Sequence, residues 1–507
     1  MNSSSMCITI RHTVPGIVVL ISAAGIGCAT SLSQVDGVPA VAPSSSAPWS
    51  APRHALRPEP PVQTAMSALP SDLAQRIQRL TLADVVDLAL RNNPATRESW
   101  SQARQAADVL GATRGQFLPT INGSVDLTRS HSPVTPGRNT PDRTQYGPSL
   151  SLNYLLFDFG GRSGSVETAR QNLFAADLTH NATLQNVILQ AETAFFSYSA
   201  TAALLAAERS AIAEAQANLT SAQQRNKVGL ATIADVLQSQ TALSQEQLNL
   251  ETIEGNLQAA RGSLASALGL PANLPFDLQP MPAAIPVGMI SQSVDSVIND
   301  ALRNRPDLAA ARAQAAAAGA QIRVARSAEL PALSLGSNAS RLYVSPTGSS
   351  STGPAYSINL GLSIPIFNGF THQYDVAAAQ AHADAVTAAA DQTRQNVITQ
   401  VFVSYYALQT SEQRVTTADQ LLASAQQSEQ VAAGRYREGV GSILDLLTAQ
   451  SALANARAQQ VQSRWQWYSA LAQLARDAGV LNTRGETPFT FSADSTAKPS
   501  LPNVIKP

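Results

Sequence analysis

The motif Ala89-Leu-Arg-Asn-Asn-Pro94 returns as Ala301-Leu-Arg-Asn-Arg-Pro306, at an offset of 212 residues. Three positions that follow each copy repeat at the same offset: Arg114, Leu118 and Pro119 return as Arg326, Leu330 and Pro331. Three later positions repeat at an offset of 210: Gly229, Asp235 and Gln240 return as Gly439, Asp445 and Gln450. Self-similarity with so long a period indicates a duplicated structural unit. The sequence therefore predicts two homologous halves, 80–270 and 292–482, joined by a Pro-rich linker at 271–291.

Both halves begin with the same succession of patterns. A helical pattern over 82–114 and 294–327 is followed in each half by Leu-Pro and then by segments of strict apolar/polar alternation, which predict strands with one apolar and one polar face. The apolar positions are Ile121, Gly123, Val125 and Leu127, then Leu150, Leu152, Tyr154 and Leu156, and in the second half Ile358, Leu360, Leu362, Ile364 and Ile366. A fourth segment, around Leu333 and Leu335, is less regular. We expect two strands per half.

Polar loops rich in Pro and Gly, 131–147 and 344–355, separate the paired strands. Hairpins of this kind could form a soluble β-sandwich, which is the commoner outcome for such a pattern. The second face of these strands carries Ser, Asn, Gly and Thr, as in a water-filled lumen. The pattern therefore favours strands that face lipid on one side and water on the other.

Two very long helical stretches follow the hairpins, 162–226 and 372–437, and at about 1.5 Å per residue each would be roughly 100 Å long. The second has a heptad-like seam of positions spaced alternately four and three apart: Val397, Val401, Ser404, Leu408, Ser411, Val415, Ala418 and Leu422. The first has matching positions: Val187, Ala191, Ala194, Tyr198, Thr201 and Leu205. This is a coiled-coil pattern in which small residues replace many leucines, so helices can pack closely on two sides. A filamentous coiled coil is the alternative, and the direct fusion to strand hairpins argues against it.

Membrane strands must close into a barrel, because an unpaired edge in lipid leaves backbone groups without hydrogen bonds. One chain supplies four strands, and the smallest known barrels have about eight. Two copies would give a barrel filled by side chains, whereas three copies would leave room for a pore. The sequence thus predicts an oligomeric conduit.

The composition excludes several classes of protein. Among 507 residues, 34 Lys and Arg nearly balance 35 Asp and Glu, so there is no basic patch for nucleic acid. Only 14% of residues are charged, where about 25% is usual, and 44% are hydrophobic, which excludes a disordered chain. The six histidines form no metal-ligand cluster, and no phosphate-binding loop or nucleophile elbow occurs. We therefore predict neither an enzyme nor a metal site.

The N-terminus has the pattern of an export signal. Residues 1–27 contain a short apolar run that ends at Gly25-Ile-Gly-Cys28. Such a run is too short to span a bilayer but suits a signal peptide. The pattern resembles a bacterial lipoprotein signal, except that Gly25 stands where Leu is preferred, and the alternative is an ordinary secretory signal with an incidental Cys28. Residues 28–79 read as a Pro/Ser-rich tether, and 483–507 as a Pro-containing tail.

Over about 80–482, the chain resembles the TolC-type outer membrane efflux family. The resemblance rests on the duplicated plan, on Leu-Arg-Asn-x-Pro, on Pro365-Ile-Phe-Asn-Gly369 and on the run from Arg435 to Gln450. It implies a mainly α fold with a membrane β-barrel portion: a homotrimer with a 12-stranded barrel that continues into a coiled-coil helical tunnel. It also implies a periplasmic adaptor and an inner-membrane, proton-driven pump as partners, with outer membrane lipid around the barrel. The only bound group implied is covalent lipid on Cys28, N-acyl and S-diacylglycerol.

The resemblance assigns candidate residues at the periplasmic tips of the helices. Turns around Val228-Gly229-Leu230 and Gly439-Val440-Gly441 would meet the adaptor. Asp445 would narrow the tunnel, with Thr448 one turn further on where a second Asp is common, and Asp235 would be the partner of Tyr436. A second closing link needs Arg at Gly441 and is absent. Residues alone offer another role for both aspartates, because Thr232-Ile-Ala-Asp235 and Ser442-Ile-Leu-Asp445 are helix capping boxes.

Three functions fit this reading. The leading hypothesis is a passive exit duct for small toxic compounds or drugs. The second is the outer membrane channel of a type I protein secretion system, and the third is a structural or adhesive envelope trimer that transports nothing. The transported substrate cannot be identified from the sequence.

Overall fold

The computed structural model describes residues 79–130, 143–274, 276–279, 292–346 and 351–481, together with the backbone of two short paired strands, Gln34–Val35 and Val38–Pro39. The chain divides into two units, Met1–Ala68 and Leu69–Pro507. The predicted signal peptide, Cys28, most of the linker and the tail 483–507 lie outside the described residues. The helices and strands of both predicted halves belong to the second unit.

The order of elements is the same in the two halves. The first half contains α1 (Leu82–Asn92), α2 (Pro94–Gly115), β1 (Thr120–Ser130), β2 (Arg143–Phe157), α3 (Gly161–Lys227) and α4 (Ile233–Ala267). The second half contains α5 (Val294–Asn304), α6 (Pro306–Ser327), β3 (Ala332–Pro346), β4 (Ser351–Ser363), α7 (Thr371–Arg437) and α8 (Ile443–Asp477).

The helical pattern predicted over 82–114 and 294–327 is confirmed, and each stretch consists of two helices separated by one break. The breaks fall at Asn93 (φ −64, ψ 127) and Arg305 (φ −69, ψ 121), both extended. Each precedes a proline that occupies the first position of the next helix. Proline disfavours the helical conformation of the residue before it and has no N–H to donate, so the chain must restart the helix there.

The long helices α3 and α7 are confirmed at 67 residues each, or about 100 Å. Seven of the eight predicted seam positions of α7, from Val397 to Ala418, are buried. Val397, Val401, Leu408 and Val415 form one cluster with Trp467 and Leu474 of α8 and with residues of α5 and α6. In α3, Val187, Ala191 and Ala194 are buried, and the later positions are partly exposed. None of the helices in the described ranges is both long and apolar enough to cross a bilayer.

The four strands form one antiparallel sheet in the order β1-β2-β3-β4. The irregular fourth segment is a full 15-residue strand, β3, that pairs with both β2 and β4. The strand predicted to reach Ile366 instead ends at Ser363, two residues before Pro365, because proline cannot donate to the ladder.

The register places like residues on one face across all four strands. Directly paired residues share a face, and on one face Ile121 pairs with Leu152, Tyr154 with Leu335, and Leu335 with Leu360. The other face is polar: Asn122 pairs with Ser151, Ser151 with Asn338, and Asn338 with Ser357. The alternation therefore extends across the sheet as well as along each strand.

The apolar face has no cover within the described chain. Val125 is 81% exposed, Tyr356 86% and Ile358 72%. In the described sheet β1 and β4 each pair on one side only. Apolar surface of this extent normally contacts another molecule or lipid.

A buried arginine joins the sheet to the first long helix. The Asp158 carboxylate accepts hydrogen bonds from Arg162, from its backbone N–H at 2.7 Å and from its Nε at 3.3 Å. The same guanidinium donates to the carbonyls of Gln116 and Leu156 and lies over the ring of Phe117. Arg162 thus holds together the ends of α2 and β2 and the start of α3.

Candidate functional site at the helix tips

One turn connects α3 to α4, which together form the first helix hairpin, and a matching turn connects α7 to α8, which form the second. We call 228–232 the first tip and 438–442 the second tip. Gly229 and Gly439 both have φ +76, and the residues after them, Leu230 and Val440, donate to the carbonyls of Arg225 and Arg435 at 2.8 and 3.0 Å. This is the hydrogen-bond pattern of a glycine-terminated helix. A Cβ at either glycine would meet nothing within 4 Å, so φ alone requires glycine. The predicted turning role is confirmed.

Both predicted capping boxes are present. Thr232 Oγ1 accepts from the N–H of Asp235 at 3.2 Å, while the Asp235 carboxylate accepts from the N–H of Thr232 at 2.8 Å. The corresponding distances for Ser442 and Asp445 are 3.1 and 3.3 Å. These contacts provide partners for N–H groups that a helix leaves unpaired at its start.

The cap leaves Asp445 available for a second role. Its side chain is exposed, and Thr448, which lies three residues on and thus on the same helix face, is exposed as well. The intervening Leu446 points the other way and is buried. A pore-lining role for Asp445 and Thr448 is compatible with this placement and stays a prediction.

The predicted partnership of Asp235 and Tyr436 does not form in this structure. Tyr436 is buried against Ile443 and Leu446, and its hydroxyl has no hydrogen-bond partner in the described part of the chain. The Asp235 carboxylate accepts instead from Thr232, at the start of its own helix. The cap joins residues only three positions apart, whereas a contact with Tyr436 would require one hairpin to move toward the other. The Asp235 carboxylate therefore accepts from Thr232.

The residue that contacts Tyr436 is Arg225, which the sequence reasoning missed. Its guanidinium lies 4.7 Å from the ring centroid and donates to the carbonyls of Tyr436, at 2.7 Å, and Arg437, at 3.0 Å. The last carbonyls of a helix lack partners within it and carry its negative end, so a charged donor stabilises them. The available signal was the repeat itself, because Arg225 stands four residues before Gly229 as Arg435 stands before Gly439.

Two further contacts hold the two helix hairpins side by side. Glu214 of α3 pairs with Arg457 of α8 at 3.2 Å. Four residues further along α3, the Nδ2 of Asn218 donates to Oε1 of Gln450 at 2.5 Å. The three links lie along one side of α3, and they set the position of the first tip relative to the second.

The tips differ in the surface they offer. The first tip and the start of α4 expose three apolar side chains, Val228 at 68%, Leu230 at 74% and Ile233 at 63%. The equivalent positions of the second tip hold Glu438, exposed Val440 and buried Ile443. The first tip is therefore the more apolar of the two.

Comparisons with known proteins agree with this architecture. The chain matches the family described as outer membrane efflux protein over 85–270 and 297–480. Protein CyaE of Bordetella pertussis is 30% identical over 414 residues, which cover 80% of this chain and 86% of that protein. Pyoverdine export outer membrane protein OpmQ of Pseudomonas putida is 25% identical, with 78% and 85% covered. The solved outer-membrane channel OprN superposes with a TM-score of 0.71 at 22% identity, covering 80% of this chain and 90% of OprN, and so shares the fold.

Proposed function

Because this chain belongs to the outer membrane efflux protein family, we propose that it is the outer membrane channel of a tripartite efflux system. In this role it is a passive exit duct for small toxic compounds or drugs, handed over by an inner-membrane pump and a periplasmic adaptor. Family membership indicates an outer membrane protein of the efflux type; the cargo, the assembly and the partners belong to the proposal.

One observation carries the proposal: the sheet has one mainly apolar and one mainly polar face, and the apolar face is exposed. Ile358 and Leu360 on β4 are 72% and 67% exposed, while Asn359 between them faces the polar side. Burying such apolar residues is worth roughly 1.5–3 kcal/mol each, so the face needs a cover. Lipid on that face and water on the other satisfies both.

The open edges β1 and β4 support assembly of several copies around one axis. An unpaired edge costs several kcal/mol per backbone group in lipid, so a membrane sheet must close on itself. Three copies place β4 of one chain beside β1 of the next and give 12 strands, which leaves a pore. The helices α3 and α7, about 100 Å long, then continue the duct on the periplasmic side.

The apolar first tip is the proposed contact of the adaptor. Val228 and Leu230 flank Gly229 and project from the end of the hairpin, with no cover in the described chain. Gly439 at the second tip completes the ring of turns, and the pump acts through the adaptor. Cys28 carries the proposed lipid that anchors the chain to the membrane.

Small molecules are the proposed cargo because several relatives are named for small cargo. One is named for pyoverdine export, and another from Pseudomonas putida is a solvent efflux pump outer membrane protein. Both relatives match this chain over more than three quarters of its length. Protein secretion and a non-transporting envelope trimer are the outcomes against which the proposal is tested.

The test uses the full chain, purified from membranes and inserted in planar bilayers, and a deletion strain in parallel. Channel activity with increased sensitivity to drugs or solvents on deletion supports the proposal. Conductance with loss of a secreted polypeptide and unchanged drug sensitivity would establish the secretion channel. If the protein gives no conductance and the deletion does not change drug sensitivity, the chain is a structural trimer that transports nothing.

A pair of adjacent substitutions tests the lipid-facing surface itself. Ile358→Asp places a charge on the apolar face and should abolish membrane insertion. Asn359→Asp makes the same charge on the polar face one residue away and should leave insertion intact. Equal effects of the two variants would contradict the assignment of the faces.

A further inference from the structure

The last turn of α7, just before the second tip, carries an arginine whose side chain makes no hydrogen bond or ion pair within the described residues. Arg435 is exposed and stands at the position of Arg225, with an offset of 210. Both arginines lie in the last turn of a 67-residue helix, and both main-chain carbonyls accept from the residue that follows the tip glycine. Their backbones are thus equivalent, and their side chains differ only in having or lacking a partner.

We propose that Arg435 binds the last carbonyls of α3, those of Asn226 and Lys227, in a second copy of this chain. It would do so as Arg225 binds the last carbonyls of α7 within its own chain. The inference rests on the proposed assembly of copies around one axis.

The internal repeat supplies the geometry. In a ring of chains that each contribute two equivalent hairpins, first and second hairpins alternate. A contact from the first hairpin to the second within a chain then has a counterpart from the second hairpin to the first of the next chain. Adding 210 to Arg225 gives Arg435. Subtracting 210 from Tyr436 and Arg437 gives Asn226 and Lys227, which would belong to the next copy.

The acceptors are available at the first tip. Main-chain carbonyls exist whatever the side chain, so replacement of Tyr436 by Asn226 at the equivalent position leaves the target in place. The carbonyl of Asn226 accepts from Gly229 at 3.0 Å, and that of Tyr436 accepts from Gly439 at 3.2 Å. Since the latter also accepts from Arg225, this backbone hydrogen bond leaves room for an arginine.

The other two links between hairpins change under the same offset, and the ion pair is lost. The ion pair of Glu214 and Arg457 maps to Ser424 and Gln247, and Asn218 with Gln450 maps to Ser428 and Gln240. The aromatic ring under the arginine is also lost, because Asn226 replaces Tyr436. Of these three links, the arginine contact is therefore the only one that keeps a charge under the offset.

The experiment places the photo-cross-linker p-benzoylphenylalanine at position 435 in the full chain, in membranes. We expect irradiation to give covalently joined chains, with peptides that link 435 to 226–230. The matched control has the same cross-linker at position 225 and should give links to 436–440 within a single chain, without a change in mass on a denaturing gel.

The possible results separate the inference from the proposed function. Joined chains whose links from 435 avoid 226–230, or links from 435 only within its own chain, would overturn the inference while the oligomer stands. Monomers by analytical ultracentrifugation would overturn the proposed assembly as well.

A second measurement tests whether the contact contributes energy. Arg435→Ala should speed dissociation of the oligomer in detergent several-fold, and Glu438→Ala, an exposed charge on the second tip, should not. An unchanged rate for Arg435→Ala would refute a stabilising contact even where the cross-link forms.

Discussion

The guanidinium of Arg225 lies 4.7 Å from the centre of the Tyr436 ring and donates a 2.7 Å hydrogen bond to the main-chain carbonyl of the same tyrosine. One side chain therefore joins the ends of two helix hairpins that are far apart in sequence. The tyrosine contributes its ring and its carbonyl, while its buried hydroxyl has no partner in the described chain. Tyr436 acts here as a surface on which the arginine rests.

Arg225→Ala should loosen the second tip. Hydrogen bonds to a charged donor contribute about 1.5–3 kcal/mol, so amide exchange of Gly439 and Val440 should become about 10- to 100-fold faster in hydrogen–deuterium exchange. Arg225→Lys keeps the charge but loses the two-pronged geometry. Its exchange rate should lie between those of the unchanged protein and of Arg225→Ala. Exchange unchanged in both variants would mean that the contact does not hold the tip.

Asp445 should influence ion passage through its charge. Asp445→Asn removes the charge and should raise single-channel conductance or weaken block by cations in planar bilayers. Ser442→Ala is the control, because it disrupts the same cap, at a cost of about 1 kcal/mol, and leaves the carboxylate. If both variants alter conductance equally, the aspartate acts through the cap alone.

Thermal stability should depend on pH through Glu192. Burial raises the pKa of this carboxyl from 4.5 to about 7. A raised pKa means that the fold favours the protonated form, so stability falls as the pH rises from about 4.5 to about 7 and stays lower above that.

Glu192→Gln should accordingly stabilise the protein near pH 8, by at most about 3 kcal/mol, and change it little near pH 4. Circular dichroism during heating at both pH values measures this. Glu251→Gln, at an exposed position of α4, is the control for the substitution itself. A Glu192→Gln variant with equal effects at the two pH values would rule out the buried acid as the cause.

Cys28 should be the site of lipid attachment. Cys28→Ser should abolish labelling with radioactive palmitate and leave the protein exported, while Cys7→Ser should label normally because Cys7 lies in the predicted signal. Labelling that persists in Cys28→Ser would disprove the lipoprotein assignment.

The strand alternation and the long helical seam could be recognised because each is a periodic property of the local sequence, and the repeat could be recognised because the same residues return at a fixed offset. The seam from Val397 to Ala418 is buried as the spacing predicts. The break at Asn93 was not predicted, because the helical pattern continues on both sides of it, although Pro94 indicates a break. The strand β3 was hard to recognise because Ser337 and Ala339 occupy its apolar face, and only pairing with Leu152 and Leu150 shows which face they share.

The sequence by itself determined the duplicated plan, because the same residues return at a fixed offset. It also determined the turns at Gly229 and Gly439 and the caps of Asp235 and Asp445, because these depend on residues at most a few positions apart. The tertiary structure alone decided what Tyr436 contacts. Asp235 had the right chemistry but accepts within its own cap, and Arg225 reaches the tyrosine because packing of α3 against α8 brings residues 211 apart in sequence to one place. Such a contact has no period in the sequence, and only the folded chain creates it.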